Sequence, residues 1–515
     1  MISRFVKLPA LRRWRVVLAA WLCAGTLPLF AAAPEPLPPT VTAALARAGV
    51  PRDALVAVVQ EVGSPRPRLS WQAEQPVNPA SLMKLLTTFS ALELLGPAHT
   101  WSTPVWLQGT VRDGVLDGNL VIKGSGDPKL VLERIWLLLR RVQQLGVREI
   151  RGDIVLDRSA FAVPDQNPAD FDGEPLRPYN VRADALLLNY KAVVFTFTPD
   201  AARGTAQIAT DPPLAGVRAD IAVPLTRGAC EDWRSALRAD FTDPMRLRFA
   251  GGYALGCGEK VWAVAYAEPE RYNARALLGM WQELGGRLGG SVRDGTAPAT
   301  PPSFESVSPA LAEVVRDINK YSNNVMAQQL FLTLGATRRG AGTPEAAREV
   351  VRQWAGARLG PAAAALVLDN GSGLSRDSRT SAQLLSRLLL AAWASPVMPE
   401  LMASLPVSGL DGTLKRSRAV PVRAHLKTGS LRDVAGVAGY VLADSGRRYV
   451  VVAIANHANA NAARPGFDAL VQWVANDTTI DATHDAANDT PNSAARSAAT
   501  APVRAPASPA SETLN

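Results

Sequence analysis

Three short strings must meet in whatever fold this chain adopts: Ser81-Leu82-Met83-Lys84, Ser322-Asn323-Asn324 and Lys427-Thr428-Gly429. Asn78 and Pro79 stand where a cap and a first helical residue belong, and Leu82, Met83, Leu85, Leu86 and Phe89 run on to a stop at Gly96-Pro97. The spacing predicts a helix with Ser81 in its first turn and Lys84 three residues on, on the same face. The third string reads as a strand, 423–431, followed by 437–442, a turn at Asp444-Ser445-Gly446 and 448–455, an antiparallel meander. Ser308-Pro309 starts one helix and a second apolar run follows Asn323, so the middle string falls at a helix–helix junction. The fold must therefore bring a helix start, a helix junction and a strand to one place.

Singly, these strings are ordinary: a capped, solvated turn, a loop and a strand end. Together and in order they are the Ser-x-x-Lys, Ser-x-Asn, Lys-Thr-Gly set of penicillin-binding proteins and class A β-lactamases, an acyl-transfer site that needs no histidine base and no metal. Composition weakens the accidental reading, because only nine of the 55 basic residues are lysines and two of those nine lie inside the strings. A free lysine is protonated at neutral pH; burial beside a second cation, Lys427, lowers such an amine toward about 7–8, where Lys84 can take the Ser81 proton. Ser322 can relay a proton to the leaving amine, and Asn324 can orient the substrate amide and Lys84. Small Thr428 and Gly429 let a peptide lie along the strand edge. Of His99, His425, His457 and His484, none follows a Gly-x-Ser-x-Gly elbow or forms His-Glu-x-x-His, and His425 is expected to face away from the site.

Longer stretches extend the likeness: Asn78-Pro-Ala-Ser-Leu-Met-Lys84, Val121-Ile-Lys-Gly-Ser-Gly-Asp-Pro128, Lys320-Tyr-Ser-Asn-Asn-Val-Met326, Asp369-Asn-Gly-Ser-Gly-Leu-Ser-Arg376, Ser408-Gly-Leu-Asp-Gly-Thr-Leu414 and His425-Leu-Lys-Thr-Gly-Ser430. On these the chain resembles the class C low-molecular-mass penicillin-binding proteins, the D-alanyl-D-alanine carboxypeptidases/endopeptidases of peptidase family S13. The resemblance implies the α+β fold of serine penicillin-recognising enzymes, an antiparallel sheet covered by helices. It implies an acyl-enzyme on Ser81, an oxyanion hole from the N–H groups of Ser81 and Ser430, and Arg376 as a contact for a stem-peptide carboxylate, although Arg376 equally suits a surface ion pair. Peptidoglycan stem peptides and cross-links would be the substrates and β-lactams the inhibitors, with no cofactor. One departure touches specificity. The family often carries an acid just before the Asn matching Asn189, whereas here the stretch is Leu186-Leu-Leu-Asn-Tyr190, with Asp184 five positions earlier.

Two further functions fit the same strings. A class A β-lactamase would need a Glu-x-x-Leu-Asn string between the second and third motifs, and Glu345, Glu349 and Glu400 all lack it. A catalytically idle wall-binding protein of the same fold would have no need of two positioned lysines.

The 515 residues exceed one simple core. Residues 1–33 read as a secretory signal, with Arg4, Lys7, Arg12, Arg13 and Arg15 before an apolar run; an uncleaved anchor is the alternative. Export would make the mature chain periplasmic, its membrane association at most peripheral. The leader contributes five positive charges to the formal net charge of +9, and the net +4 that remains comes with no Lys/Arg run, which argues against nucleic acid. Without Cys23, Cys230 and Cys257 remain, an even pair in an exported chain, read as a disulfide with two buried thiols as the alternative. No Cys-x-x-Cys or adjacent histidine suggests a metal site. Between Lys84 and Ser322 lie 237 residues, rich in β signals. Residues 34–100 and 298–475 are thus expected to form a discontinuous catalytic domain, with β-rich domains inserted at 101–297 and a disordered tail at 476–515.

Overall fold

Both faces of the strand Leu55–Glu61 are apolar: Leu55, Ala57 and Val59 point one way, Val56 and Val58 the other. The strand Arg448–Asn456 repeats the pattern, with Val450, Val452 and Ile454 opposite Val451, Ala453 and Ala455. Strands of this kind need cover on both sides. In the computed structural model, which describes residues 36–479, they lie side by side in a five-stranded antiparallel sheet. Its order is Ala424–Leu431, Val434–Leu442, Arg448–Asn456, Leu55–Glu61, Leu69–Trp71. The two ends of the chain thus share one sheet, as the α+β reading requires. The signal expected at 1–33 and, of the tail expected at 476–515, residues 480–515 lie outside the described residues.

One face carries the helices Met83–Leu95, Leu311–Tyr321, Asn324–Arg339, Pro344–Leu359 and Ala382–Trp393, which bring Leu85, Phe89, Val314, Leu330 and Leu385 onto Val56, Val58 and Val452. Met83–Leu95 is buried almost all round, and Phe89 meets Trp354 edge to face at 5.3 Å between centroids; such a side chain contributes ~2–3 kcal/mol by burial. The helices Pro39–Arg47 and Arg464–Ala475 cover the other face with Val41, Leu45, Phe467 and Leu470. Asp477, assigned from the sequence to the disordered tail, is buried against this sheet, where its carboxylate accepts from the Tyr449 hydroxyl at 2.7 Å.

Between Met83–Leu95 and Leu311–Tyr321 the chain builds three more sheets, of seven, five and three strands. The strand Phe304–Val307 pairs with Ser102–Arg112 and carries the seven-stranded sheet to the threshold of Leu311–Tyr321. That helix begins three residues after Ser308, whose hydroxyl instead accepts from Trp101 N–H at 2.8 Å and ties the sheet to the helix layer. The five-stranded sheet packs Phe195 and Phe197 against Phe249 and Tyr253, and nearby Cys230 and Cys257 form the expected disulfide, with Cα atoms 4.7 Å apart.

Candidate active site

Ser81 sits in a 3-10 turn, Ala80–Leu82, immediately ahead of the α-helix that starts at Met83. The expected cap is absent. Asn78 Oδ1 accepts from Ala80 N–H at 2.9 Å, while its backbone N–H and C=O exchange hydrogen bonds with the amide of Asn456, at 2.8 and 3.0 Å. A tertiary amide pair across 378 residues thus anchors the turn, in place of a local cap. Ala80 is left-handed at φ 47°. Space for its carbonyl comes from Gly373, at φ 79°, where a Cβ would lie 1.9 Å from Ala80 O. Gly429 is small for a related reason. A Cβ there would lie 2.8 Å from Pro79 O and 3.2 Å from Leu82 Cγ, so its bare Cα admits the turn that carries Ser81 and does not open the strand edge.

The Lys84 side chain is wholly buried, and its Nζ has three oxygens around it: Ser81 Oγ at 2.9 Å, Asn324 Oδ1 at 2.6 Å and the carbonyl of Ser372 at 2.6 Å. Burial pushes its pKa well below the usual lysine value, and the neighbouring Lys427 pushes it further. Lys427 is equally buried and is brought down to about 7 by desolvation. Its Nζ donates to Ser322 Oγ at 3.0 Å and to Thr428 O at 2.8 Å. Burial thus lowers both amines, and Lys427's field lowers Lys84 in addition.

Ser322 ends the helix Leu311–Tyr321 in the left-handed region, φ 56°, and Asn323 caps the helix Asn324–Arg339 by accepting from Met326 N–H at 3.0 Å. This sharp reversal aims Ser322 and Asn324 at the two lysines. Thr428 Oγ1 lies 2.8 Å from Thr413 Oγ1, and Ser430 turns its hydroxyl away to Asn461 at 2.7 Å. His425 does not face away: it alternates onto the Lys427 side of the strand, half-buried near Met402.

Ser81, Ser322, Asn324, Arg376 and Ser430 line one cleft of about 880 Å³. Its far wall is the segment carrying Phe171, Asp172, Glu174 and Tyr179, and Asn324 Nδ2 donates to Tyr179 O at 3.5 Å. Arg376 pairs with Asp433 at 3.1 Å and lies over the Phe171 ring, 4.7 Å from its centroid. It is thus a surface ion pair and a cleft wall at once. Asp184 is absent from this cleft. Buried, with its carboxyl kept low by Lys191 at 2.7 Å and Arg158 at 2.6 Å despite desolvation, it is a structural anion. The acids on the cleft are Asp172, held by Tyr179 and Asn180, and Glu174, beside Arg177. The sequence reading missed these acids and the Ser372 carbonyl. A backbone acceptor has no residue signature; the flanking Gly371 and Gly373, both at positive φ, are the only trace it leaves.

A helix-covered antiparallel sheet with serine, lysine and Lys-Thr-Gly elements converging on one cleft defines a serine enzyme of the penicillin-recognising class. Residues 40–477 match the D-Ala-D-Ala carboxypeptidase 3 (S13) family, and the chain belongs to that family. It is similar to the D-alanyl-D-alanine carboxypeptidase of Actinomadura sp. (strain R39), with 30% identity over 391 residues, 70% of this chain and 70% of that one. Its fold is similar to that of penicillin binding protein 4 from Haemophilus influenzae, with a TM-score of 0.65 and 21% identity over 82% of this chain and 96% of that one. The same protein complexed with a β-lactam gives a TM-score of 0.62 and 20% identity, over 84% and 99% of the two chains. The chain is a serine-type peptidase of the D-Ala-D-Ala carboxypeptidase family, and its fold class is the one its strings imply.

Proposed function

We infer that the enzyme cleaves the terminal D-Ala-D-Ala amide of peptidoglycan stem peptides, and cross-links of like chemistry, through an acyl-enzyme on Ser81 that β-lactams also form. One observation carries this reading: two of the three oxygens around Lys84 Nζ, Asn324 Oδ1 and Ser372 O, are acceptors only. A neutral amine has two N–H bonds and one lone pair. Those acceptors take the two N–H bonds, so the lone pair is left facing Ser81 Oγ at 2.9 Å, and the serine O–H donates to it. As Oγ bonds to the substrate carbonyl carbon its proton passes to Lys84, and the carbonyl electrons move onto oxygen, received by the N–H groups of Ser81 and Ser430. One such donor is typically worth ~3–4 kcal/mol in the transition state. The C–N bond then breaks. The leaving amine takes, through Ser322, the proton that Lys84 received, which leaves Lys84 neutral again for the water step; Lys427 holds Ser322 by a hydrogen bond. Water attacks the ester, returns a proton to Ser81 and releases the shortened peptide. Lys427 and Thr428 receive the terminal carboxylate beside Gly429, and Arg376 meets a carboxylate farther up the stem.

The β-lactam complex of the Haemophilus protein supports the inhibitor half of this reading. The basic, then apolar, start of the sequence supports export to the periplasm, and among the described residues no helix is long and apolar enough to cross a membrane. In the same reading, residues 34–100 and 298–475 form the catalytic unit and 101–297 an insertion supplying the far cleft wall.

The test is to label the full chain with a fluorescent penicillin, map the modified peptide, and assay D-alanine release. An adduct on Ser81 and D-alanine release are expected, both lost in Ser81→Ala, which changes stability by no more than about 1 kcal/mol because the hydroxyl's partner among the described residues is Lys84. No adduct and no D-alanine would return the protein to the idle binding class; rapid penicillin turnover without D-alanine release would make it a β-lactamase.

A further inference from the structure

The stretch Ser408-Gly-Leu-Asp-Gly-Thr-Leu414 has no part in the chemistry above, yet it is fastened to two of the three strings. Lys320, two residues before Ser322, is buried with 4% exposure and pairs with Asp411 at 2.6 Å. The other Asp411 oxygen accepts from Val407 N–H at 2.8 Å. Gly412, at φ 54°, presses so closely on this helix end that a Cβ would lie 2.5 Å from Lys320 O. The next residue, Thr413, comes out of this clamp with its hydroxyl 2.8 Å from that of Thr428.

We propose that Thr413 is a positioning residue for the substrate's terminal carboxylate: it donates its hydroxyl proton to Thr428 Oγ1 and leaves the Thr428 O–H free to donate to the carboxylate. Two hydroxyls in contact share one proton along the line between them, and the second points elsewhere. If Thr428 donates to Thr413, it presents only lone pairs to an arriving anion. If Thr413 donates, Thr428 presents a proton. A carboxylate only accepts, so its arrival selects the second arrangement, and the relayed bond polarises the Thr428 O–H further. Lys427, whose Nζ donates to Thr428 O at 2.8 Å, supplies the charge beside the pair; Thr413 supplies the direction. The Lys320–Asp411 ion pair therefore sets two parts of the site at once, Ser322 on its own helix and Thr413 across the clamp.

This inference rests on the reading of Lys427 and Thr428 as carboxylate holders, and the experiment separates the two. Thr413→Val keeps the β-branched shape and removes the donor; Thr413→Ser keeps the donor. Each is compared with wild type on a peptide ending in D-Ala-D-Ala carboxylate, on the same peptide as its C-terminal amide, and in penicillin acylation, with melting temperature as the fold control. Thr413→Val is expected to lower kcat/KM about tenfold for the carboxylate peptide, mostly through KM, and to slow penicillin acylation similarly. The amide peptide should be unaffected, and Thr413→Ser should recover the loss to within about twofold. If wild type discriminates carboxylate from amide and Thr413→Val discriminates equally well, or loses both peptides in the same proportion, the proposal is overturned. If wild type itself does not discriminate, the carboxylate reading falls first and takes this inference with it.

Discussion

Lys427→Met should make the protein more stable at neutral pH while removing its activity. The side chain is fully buried, and its ammonium has been brought from 10.5 to about 7 by desolvation. The sign follows from proton counts. Between pH 7 and 10.5 the unfolded chain holds a proton at this position that the folded chain has largely released, so stability rises with pH across that window. The stability tied to this depressed pKa is fully present only above 10.5 and is lost as pH falls through about 7. At about 1.4 kcal/mol per pKa unit, the burden at pH 7 is roughly 4 kcal/mol. Methionine fills a similar volume without a charge and removes that burden, but gives up hydrogen bonds to Ser322 Oγ and Thr428 O, worth ~1 kcal/mol each. A net gain of about 2 kcal/mol at pH 7 follows, and it should fade by about that amount between pH 7 and 9, as wild type recovers and the variant does not. Chemical denaturation at the two pH values measures it, with penicillin labelling confirming the loss of acylation. A variant destabilised at pH 7, with the pH slope of wild type retained, would refute the argument that this lysine is desolvated against the fold.

Asn324→Asp places a carboxylate where Lys84 now meets an amide oxygen at 2.6 Å. An opposite charge favours the ammonium and raises the Lys84 pKa, so penicillin acylation should fall by at least ~10-fold at pH 7 and recover partly toward pH 9; an unshifted acid limb in the pH–rate profile would count against Lys84 as base. Replacing both Cys230 and Cys257 by serine opens a link of sequence separation 27 and should cost about 3–4 kcal/mol on a chain-entropy estimate. Guanidinium denaturation reads that loss, and labelling of Ser81 should persist.

The residues proposed to carry chemistry could be picked out because each role needs a particular functional group, and the strings state those groups outright. The C-terminal meander of the central sheet was legible from its strand pattern, and the Cys230–Cys257 link from being an even pair. What aims the groups was not legible, because it is tertiary. Asn78 before Pro79 has the look of a cap, but its Oδ1 stops at Ala80 N–H, short of the α-helix, and its backbone is held by the amide of Asn456, distant in sequence. Gly429 reads as an open strand edge until the Pro79 carbonyl is found beneath it. The helix Leu132–Gln144 could have been read, since Ile135, Leu138, Leu139 and Val142 are buried at helical spacing; strand-like neighbours on both sides hid it. Arg376 could not be resolved alone, because Phe171, the ring beneath its guanidinium, is some two hundred residues away in the sequence.

The same logic explains where the backbone is strained. Ala80 and Ser322 are both left-handed non-glycine residues, at φ 47° and 56°, a conformation that costs roughly 1–2 kcal/mol per residue. One immediately precedes the proposed nucleophile and the other is the proposed relay serine. Neither could hold its angle on local preference, and each is over-determined by its surroundings. Ala80 is gripped between Gly373 and the strand at Gly429, and its N–H is bound to Asn78. Ser322 lies between a helix held by the Lys320–Asp411 pair and a helix capped by Asn323. Two buried lysine amines and two strained turns would each oppose folding if isolated. They sit instead in a layer whose helices and sheet share an extensive apolar core, so the cost of a preorganised site falls on packing that forms whether or not substrate is present. This is why Ser81 and Lys84 already stand 2.9 Å apart, with both acceptors of the lysine in place.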